Sequence, residues 1–503
     1  MMAAPRTNGI HPADANNGET APLIPTTNDH HHPRRSSNSN NTLLFPIPHE
    51  GESGRAGFHL RHFLLVLWRS SCHLSKISNI LWPFVPLALF FRIFFSDSHP
   101  LWTFYLSYIG MIPSANLLGF AGQELARKMP KVAGILIETT FGSIVEIILF
   151  LVLIVKHDEE DEAGNMVPII QAAILGSILT NLLLCLGLCF FVGGIRHVRQ
   201  RFHAIVSEVG SGLLLVAAFG LLIPSAFYSA LKSEASVVEV VLGPGVKAVM
   251  PLQHDEFTLG KLEDHVLRIS RVTSIALILS FFMYIWYCAS SQHSIFDEVI
   301  EADEHRDADR EADMEKPKFT ATEATIALVI SLVCATALLI FLVDEIEHVV
   351  HSGVPDQFLG LILLPLVEKA AEHLTAIDEA WDGVINVALY HCLGPSIQTA
   401  LFNGPLVVIV GWALGKPMDL NFEIFMIGLL VLSILVVGNF LRDGESNWLE
   451  GALLVMVYVI TAIACWYYPN PDIASSNSLE RLEMINVTIA DGLQELKHLL
   501  TGV

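Results

Sequence analysis

About eleven apolar stretches, each roughly 18 to 25 residues long, run through this sequence and are separated by polar connections. A helix of about 20 apolar residues spans the hydrocarbon core of a bilayer and satisfies its own backbone hydrogen bonds there. Only 16% of the residues are charged, against about 25% in a typical soluble domain. These features predict an all-α polytopic membrane protein of about eleven transmembrane helices. The predicted spans are 79–96, 102–120, 132–155, 168–194, 206–230, 271–290, 322–343, 358–377, 384–412, 422–441 and 449–468.

The polar segments divide the chain into an N-terminal helix, two groups of five spans and two tails. The N-terminal tail is rich in Asn, Ser, Pro, Gly and His, a composition typical of disorder. The C-terminal tail contains a segment, 478–500, with the pattern of an amphipathic helix on the membrane surface. The predicted parts are a disordered cytosolic tail (1–58), a segment with span one (59–101), a first repeat (102–295), an acidic cytosolic loop (296–318), a second repeat (319–468) and a C-terminal tail (469–503).

Basic residues in the short connections predict the orientation of the chain. Those before span one, after span two and after span four all lie on one side of the membrane, the cytosolic side if the N terminus is cytosolic. An odd number of spans then places the C terminus, with its sequon at Asn486, in the lumen. The acidic run 296–316 would be cytosolic.

Acidic residues recur inside the membrane at matching places in the two groups of spans. The segment "GILIETTFGSIVEIILF" carries Glu138 and Glu146, and "GLILLPLVEKAAEHLTAI" carries Glu368 and Glu372. Because each group has an odd number of spans, two copies would insert with opposite topology, which is the inverted-repeat plan of secondary transporters. Each acidic span is followed by one with small and polar residues, namely Gly176, Ser177 and Asn181 in the first group and Gly394, Ser396 and Gln398 in the second.

This set of groups suits a hard cation and protons. Ca²⁺ takes 6 to 8 oxygen ligands from carboxylate, hydroxyl, amide and carbonyl groups. Burial disfavours the charged form of a carboxyl group, so a buried glutamate can alternate between a proton and a cation. The residues alone therefore indicate a cation-coupled transporter, while structural ion pairing of the same glutamates is the competing interpretation. The sequence has no phosphate-binding or nucleophile motif, which predicts a transporter without cofactors and not an enzyme.

Six segments along the chain carry a further signal: "LLGFAGQELA" (117–126), "QAAILGSILTNLLLCLGLCFFVGGIR" (171–196), "FLGLILLP" (358–365), "AAEH" (370–373), "SIQTALF" (396–402) and "DGESNWLEG" (443–451). In this order they resemble the Ca²⁺/cation antiporters, particularly the fungal and plant vacuolar Ca²⁺/H⁺ exchangers. The resemblance implies antiport of cytosolic Ca²⁺ against lumenal H⁺ across a vacuolar membrane. It also implies that Glu146 and Glu372 are the essential acids of the two repeats, and that Ser177 and Gln398 are polar positions beside them.

The chain departs from the Gly-Asn-x-x-Glu pattern that the family's two core motifs follow. The first motif is "GSIVE", with Ser143 in place of Asn, and the second is "EKAAE", with Glu368 and Lys369 in place of Gly and Asn. An upstream Asn of the family is Glu138. A charged Lys offers donors and no lone pair, so Lys369 cannot coordinate a cation as an Asn oxygen would.

Three hypotheses follow for Lys369. It turns aside to pair with Glu368 or Glu138 and leaves the site to Ca²⁺; or its ammonium replaces part of the Ca²⁺ charge, and the protein moves Na⁺ or K⁺ against protons; or it occupies the site permanently, and the protein is a scaffold or regulator. The predicted ion-binding residues are Glu146, Glu372, Ser143, Ser177, Gln398 and Asn181, with Glu138, Glu368, Lys369 and His373 as modulating residues.

The remaining side chains support weaker expectations. His373 either tunes proton affinity or packs in protein. The acids just past span eight, Asp378, Glu379 and Asp382, either gather cations at the entrance or form a solvated loop. The cysteines lack CxxC spacing, which predicts buried small residues and no zinc site or disulfide framework. Membrane lipid, Ca²⁺ and protons are the expected partners, homo-oligomers are possible, and nucleic acid is not expected, because basic patches with interleaved aromatics are missing.

Overall fold

The structure is a computed structural model that describes residues 57–70, 72–95, 98–129, 131–157, 166–236, 259–290 and 318–468. Both tails, with the predicted amphipathic helix and Asn486, and nearly all of the acidic loop lie outside the described residues. The α-helices are α1 (Leu60–Arg69), α2 (His73–Ser78), α3 (Phe84–Phe95), α4 (Pro100–Ala126), α5 (Lys131–Lys156), α6 (Val167–Leu179), α7 (Leu186–Arg196), α8 (Ala204–Ser236), α9 (Leu259–Ser290), α10 (Ala321–Asp344), α11 (Ile346–His351), α12 (Asp356–Phe358), α13 (Leu364–Glu368), α14 (Ala370–Asp382), α15 (Ile385–Gln398), α16 (Gly404–Leu414), α17 (Ile424–Phe440) and α18 (Trp448–Trp466).

The predicted all-α membrane fold is confirmed in the described part of the chain. Eight helical segments are long and apolar enough to span a membrane: Ser75–Phe95, Val167–Arg196, Val206–Lys232, Leu259–Tyr287, Ala321–Asp344, Ile385–Leu414, Ile424–Asp443 and Trp448–Trp466. The other three predicted spans are also helical, in α4, in α5 and in the run from α12 to α14. Each of these three carries buried polar residues inside the bundle, among them Asn116, Glu146 and Lys369. The count of eleven spans stays a prediction.

Three π-helical segments interrupt the spans that surround the centre of the bundle. They lie at Thr180–Cys185, Leu359–Leu363 and Thr399–Asn403. The first and third each begin at the Thr of a Ser-Ile-x-Thr sequence, once in each half of the chain. A π segment adds a residue to the turn and rotates the side chains that follow it, and such segments are frequent at functional sites.

The helix that carries the second acidic motif is also broken. Helix α13 ends at Glu368, Lys369 has φ −93° and ψ −1°, and α14 begins at Ala370. The chain continues in nearly the same direction, because the Lys369 N–H donates to the Pro365 carbonyl at 3.0 Å and the His373 N–H donates to the Lys369 carbonyl at 2.9 Å. The break places Lys369 at a joint and puts Glu372 in the first turn of α14.

The acidic and basic side chains gather at the two ends of the bundle. At the end we call the Arg196 end, Arg196 pairs with Asp382, and a two-residue antiparallel pairing joins Gln200–Arg201 to Glu445–Ser446. The sequence did not predict this small β pairing. At the opposite end, which we call the Asp419 end, Arg92 and Lys156 both pair with Asp344. Between these two ends the described residues are mainly apolar, with a polar cluster around Glu146 and Lys369.

Small residues allow close helix crossings near that cluster. A Cβ atom on Gly176 of α6 would lie 2.6 Å from the Leu361 Cα, and one on Gly360 would lie 2.6 Å from the Ala172 Cβ. Glycine at these positions therefore brings the span that contains α6 against the span that contains α13 and α14. Small residues serve this purpose in many membrane-protein interfaces.

We expect Gly176→Ala to destabilise the protein. The added methyl group has no space and would separate the two spans, at a cost of about 1–3 kcal/mol. The measurement is the thermal unfolding midpoint of the purified protein in detergent. Gly212→Ala is the matched control, because a Cβ there meets nothing within 4 Å and Ala favours the helix. Equal midpoints for the two variants would contradict the close crossing.

Candidate cation site

Glu146 lies at the centre of the polar cluster. It is 1% exposed on α5, and its carboxylate accepts three hydrogen bonds from the second half of the chain. Thr399 Oγ1 donates at 2.7 Å to Oε1 and 3.0 Å to Oε2, and Asn403 Nδ2 donates to Oε2 at 3.0 Å. The acid of the first half is therefore held by a hydroxyl and an amide of the second half.

Lys369 joins the acids of the two halves. Its Nζ lies 3.3 Å from Glu146 Oε2 and 3.6 Å from Glu372 Oε2, and its side chain is 1% exposed. An ammonium group this deeply buried is stable only with charged partners. Lys369 thus stands between the two carboxylates that the sequence analysis selected as cation ligands.

Glu372 approaches α5 where that helix has no side chain. A Cβ on Gly142 would lie 3.1 Å from Glu372 Oε1, so the glycine makes room for the carboxylate. Glu372 stands in the first turn of α14, where the helix dipole favours a negative charge. Its side chain is 19% exposed, whereas that of Glu146 is fully buried. Of the two acids, Glu372 is therefore the more exposed, although its Oε2 is also buried.

Glu368 adds a third buried carboxyl group to the cluster. It is 6% exposed, interacts electrostatically with Lys369, and its Oε1 has no hydrogen-bond partner among the described residues. When Glu146, Glu368 and Glu372 are all ionised, three carboxylates and one ammonium leave two negative charges. The replacement of Gly-Asn by Glu-Lys therefore leaves the formal charge of the site equal to that of two carboxylates alone.

The other predicted residues lie on the same helices, with unequal roles. Ser177 Oγ is 3.5 Å from Thr399 Oγ1, and His373 Nε2 donates to Asn181 Oδ1 at 2.9 Å. His373 is therefore buried and hydrogen-bonded across the halves. Ser143 is buried on α5, one turn before Glu146. The Glu138 side chain lies outside the described residues.

Thr399 and Asn403 are the site residues that the sequence analysis missed. The sequence predicted Gln398 instead, and the Oε1 atom of Gln398 has no hydrogen-bond partner among the described residues. The repeated Ser-Ile-x-Thr sequence is the signal that points to Thr399, since a π segment begins at that Thr in both halves. Asn403 follows one turn later on the same segment.

Unsatisfied oxygen atoms surround the charged groups. Glu368 Oε1, Gln398 Oε1 and Asn403 Oδ1 are buried and lack hydrogen-bond partners among the described residues. Buried polar atoms normally have partners, and each exception calls for an explanation. Oxygen atoms without donors, beside carboxylates, are the ligands that a hard cation requires.

The acids predicted to gather cations past span eight are partly engaged in ion pairs. Asp382 accepts from Arg196 at 2.9 Å, and Glu379 accepts from His391 Nδ1 at 2.7 Å. Asp378 also has an interaction partner. These acids at the Arg196 end therefore have interaction partners. Neither of the two predictions, a free cluster that gathers cations or a solvated loop, describes them fully.

A further acid, Asp419, lies in the connection between α16 and α17 at the opposite end. It accepts from Gln171 Nε2 at 2.8 Å and from the Asn421 N–H at 3.1 Å. Burial, assisted by the nearby Glu263, raises the pKa of Asp419 from 3.8 to about 6 despite these donors. This carboxyl group changes charge within the pH range of an acidic compartment.

We expect Asp419 to make stability depend on pH. Because the folded-state pKa is raised, its contribution is fully present below about pH 4 and is lost as pH rises through about 6. Asp419→Asn removes this contribution, so its thermal midpoint should change less than that of the unaltered protein between pH 4 and 7, by about 2 °C. The exposed Glu208→Gln is the control. A pH slope unchanged by Asp419→Asn would refute the assignment.

The sequence of this chain matches a known protein family over both groups of spans. The sodium/calcium exchanger protein family matches residues 99–289 and 323–467. The chain belongs to this family. The match is interrupted between 289 and 323, where the acidic loop separates the two groups of spans. The resemblance inferred from the motifs is thus confirmed.

Curated relatives of this exchanger-family chain align over most of its length. Vacuolar cation/proton exchanger 2 of Oryza sativa subsp. japonica is 34% identical, over 80% of this chain and 83% of its own length. The vacuolar calcium ion transporter of Cryptococcus neoformans var. grubii is 30% identical, over 74% and 70%.

Solved structures of exchangers share the fold. The structure of native YfkE is 26% identical and covers 78% of this chain and 100% of its own, with a TM-score of 0.58. A selenium-substituted form of YfkE, described as a Ca²⁺/H⁺ antiporter protein, gives 25% identity and the same score. The H⁺/Ca²⁺ exchanger CAX, 12% identical with a TM-score of 0.54, matches in fold alone.

Proposed function

We propose that this protein is a secondary active antiporter that exchanges cytosolic Ca²⁺ for lumenal H⁺ across a vacuolar membrane. The observation that carries the proposal is the meeting of Glu146 and Glu372, from opposite halves of the chain, around one buried cation, the Lys369 ammonium. The names of the relatives and the description of YfkE as a Ca²⁺/H⁺ antiporter protein support the same activity.

In this mechanism Lys369 is a resident counter-charge that gives way to the transported ion. It lies at the joint between α13 and α14, so a change at that joint moves Nζ away from Glu146. Ca²⁺ then takes oxygens from Glu146, Glu368 and Glu372, and its two charges balance the two negative charges of the site. Protons on the same carboxyl groups replace Ca²⁺ on the return step. Competition for these oxygens couples the two ions.

The position of Lys369 also bears on the three hypotheses from the sequence. The close ion-pair partners of Lys369 among the described residues are Glu146 and Glu372, which does not support pairing with Glu368, while the Glu138 side chain lies outside the described residues. The charge of Glu368 offsets that of Lys369, which supports a divalent substrate. If Glu368 instead stays protonated, the site keeps a single negative charge, which suits Na⁺ or K⁺. Monovalent cation/H⁺ antiport is therefore the second candidate, and the observation that favours it is that Glu368 Oε1 has no hydrogen-bond partner among the described residues.

We also propose how the protein sits in its membrane. The basic connections support a cytosolic Arg196 end and N terminus, with the Asp419 end and the C terminus in the lumen. Asp419, with its pKa of about 6, would then face an acidic lumen. Association into homo-oligomers stays a prediction.

Transport by the purified protein in lipid vesicles tests the proposal. The vesicles carry an acidic interior, and uptake of ⁴⁵Ca²⁺ is followed with and without excess Na⁺ or K⁺. We expect saturable ⁴⁵Ca²⁺ uptake that depends on the proton gradient and stops when a protonophore is added. Excess Na⁺ or K⁺ should leave this uptake unchanged. Proton-coupled movement of Na⁺ or K⁺ without Ca²⁺ uptake would favour the second candidate. Failure to move any of the three ions would overturn both.

A further inference from the structure

Three cysteine thiols meet inside the bundle, close to the cation site but outside it. Cys392 Sγ lies 3.4 Å from Cys185 Sγ and 3.9 Å from Cys189 Sγ, and all three sulfur atoms lie within 4.8 Å of one another. All three residues are fully buried. The sequence predicts buried small residues at these positions, but only the packing of α7 and the preceding π segment against α15 brings the three together.

The spacing of the sulfur atoms matches that of a metal-thiolate centre. Three sulfurs at a metal–sulfur distance of about 2.3 Å stand about 4 Å apart around a central ion. The measured separations lie close to this value, so a metal requires little rearrangement of the helices. Sulfur ligands select soft cations and discriminate against Ca²⁺ and Mg²⁺, which take oxygen ligands.

The thiols lie close to the residues that border the polar site. Asn181, which accepts from His373 next to Glu372, precedes Cys185 by about one helical turn. Charge also balances, because a divalent cation that displaces the protons of two thiols and keeps the third sulfur as a neutral ligand leaves no net charge in the membrane interior.

We propose that Cys185, Cys189 and Cys392 form a binding site for a thiophilic divalent cation such as Cd²⁺, and that its occupation blocks exchange. Cys185 and Cys189 belong to the first half of the chain and Cys392 to the second, so a bound metal links the two halves next to the transport site. Exchange requires the halves to move relative to each other. The blockade rests on the proposed function, whereas the metal site does not.

Metal binding is tested first on the purified full-length protein. The protein is stripped with a chelator, given Cd²⁺ in the presence of excess Ca²⁺ to occupy oxygen sites, and separated from free metal. We expect about one retained Cd²⁺ per chain, with the ultraviolet charge-transfer absorption of cadmium thiolate. Cys392→Ser and Cys189→Ser should each lose the absorption. Cys465→Ser, which alters another fully buried cysteine outside the cluster, should keep it.

Two variants of the cluster are used, so that the test still holds if one of them fails to fold. A monodisperse peak on gel filtration identifies a folded protein. Absence of the absorption from the unaltered protein would overturn the site, as would its persistence in a folded Cys392→Ser or Cys189→Ser variant. Equal loss in Cys465→Ser would overturn it too, because the signal would then not report the cluster.

Transport is the second readout. Pretreatment with Cd²⁺ should reduce ⁴⁵Ca²⁺ uptake at least about tenfold in the unaltered protein and in Cys465→Ser, and a dithiol chelator should restore it. Cys392→Ser should keep its uptake. Charge-transfer absorption without inhibition would overturn the blockade. Absence of Ca²⁺ uptake before any Cd²⁺ is added would count against the proposed function alone, since the absorption still decides the metal site.

Discussion

Glu146→Gln is expected to abolish proton-driven Ca²⁺ uptake. The carboxylate is the acceptor for Thr399 and Asn403 and the nearer ion-pair partner of Lys369. An amide carries neither the negative charge that attracts Ca²⁺ nor an exchangeable proton, so both transported ions lose the same ligand. Loss of Glu146 also removes the nearer of the two close ion-pair partners of the buried ammonium, which costs about 3 kcal/mol of stability.

The measurement is ⁴⁵Ca²⁺ uptake into vesicles, normalised to folded protein, together with the thermal midpoint in detergent. Glu208→Gln is the control, because it removes an exposed carboxylate from α8. Uptake at the level of empty vesicles, with unchanged uptake in the control, is the expected pair of results. A Glu146→Gln variant that retains proton-dependent Ca²⁺ uptake would remove Glu146 from the transport mechanism.

Lys369 and Glu368 are expected to compensate each other. Lys369→Asn alone leaves three carboxylates without their ammonium, so Ca²⁺ should bind more tightly but leave more slowly, and uptake should fall about tenfold. Glu368→Gln alone changes the net charge of the site from minus two to minus one, and Ca²⁺ affinity should fall by a similar factor. The double variant restores two negative charges and should recover uptake to within about threefold of the unaltered protein.

The unaltered protein, the two single variants and the double variant form a double-mutant cycle. The measured quantities are the KM and the maximal rate of Ca²⁺ uptake, and Glu347→Gln, which alters an exposed residue, is the surface control. Recovery in the double variant would show that the pair conserves the charge of the site. If the unaltered protein moves no Ca²⁺ and Lys369→Asn alone allows uptake, the ammonium blocks the site and charge compensation is wrong. Additive losses in the double variant would also contradict it.

Much of the fold follows from local features of the sequence. Each apolar stretch is long enough to cross a bilayer. In lipid, such a single segment satisfies its own backbone hydrogen bonds only as a helix. The predicted spans are mainly helical where the structure describes them, with a break at Lys369. Most boundaries differ by a few residues, but α9 begins at Leu259, well before the predicted start at 271. The acids at 146 and 372 were identifiable because a charged residue inside an apolar span is costly and usually functional.

The contacts of the site were less predictable. One hypothesis from the sequence paired Lys369 with Glu368 or Glu138, yet its nearest described ion-pair partner is Glu146, from the other half of the chain. The sequence pointed to Gln398 as a polar residue of its span and did not point to Thr399 or Asn403, which contact Glu146 from the π segment that follows Gln398. Cys392 is 203 residues from Cys189 and 207 residues from Cys185 in the sequence, so no local spacing indicates that the three thiols meet.

The sequence by itself indicated the membrane environment, the helical class and the family of this protein and predicted Glu146 and Glu372 as site residues, because hydrophobic length and charge inside an apolar span are properties of single segments. Only the tertiary structure decided which groups meet: Lys369 between Glu146 and Glu372, Thr399 and Asn403 on Glu146, and three thiols beside them. The physical reason is that helix packing, with close crossings at Gly176 and Gly360 and a break at Lys369, sets the position and rotation of each face.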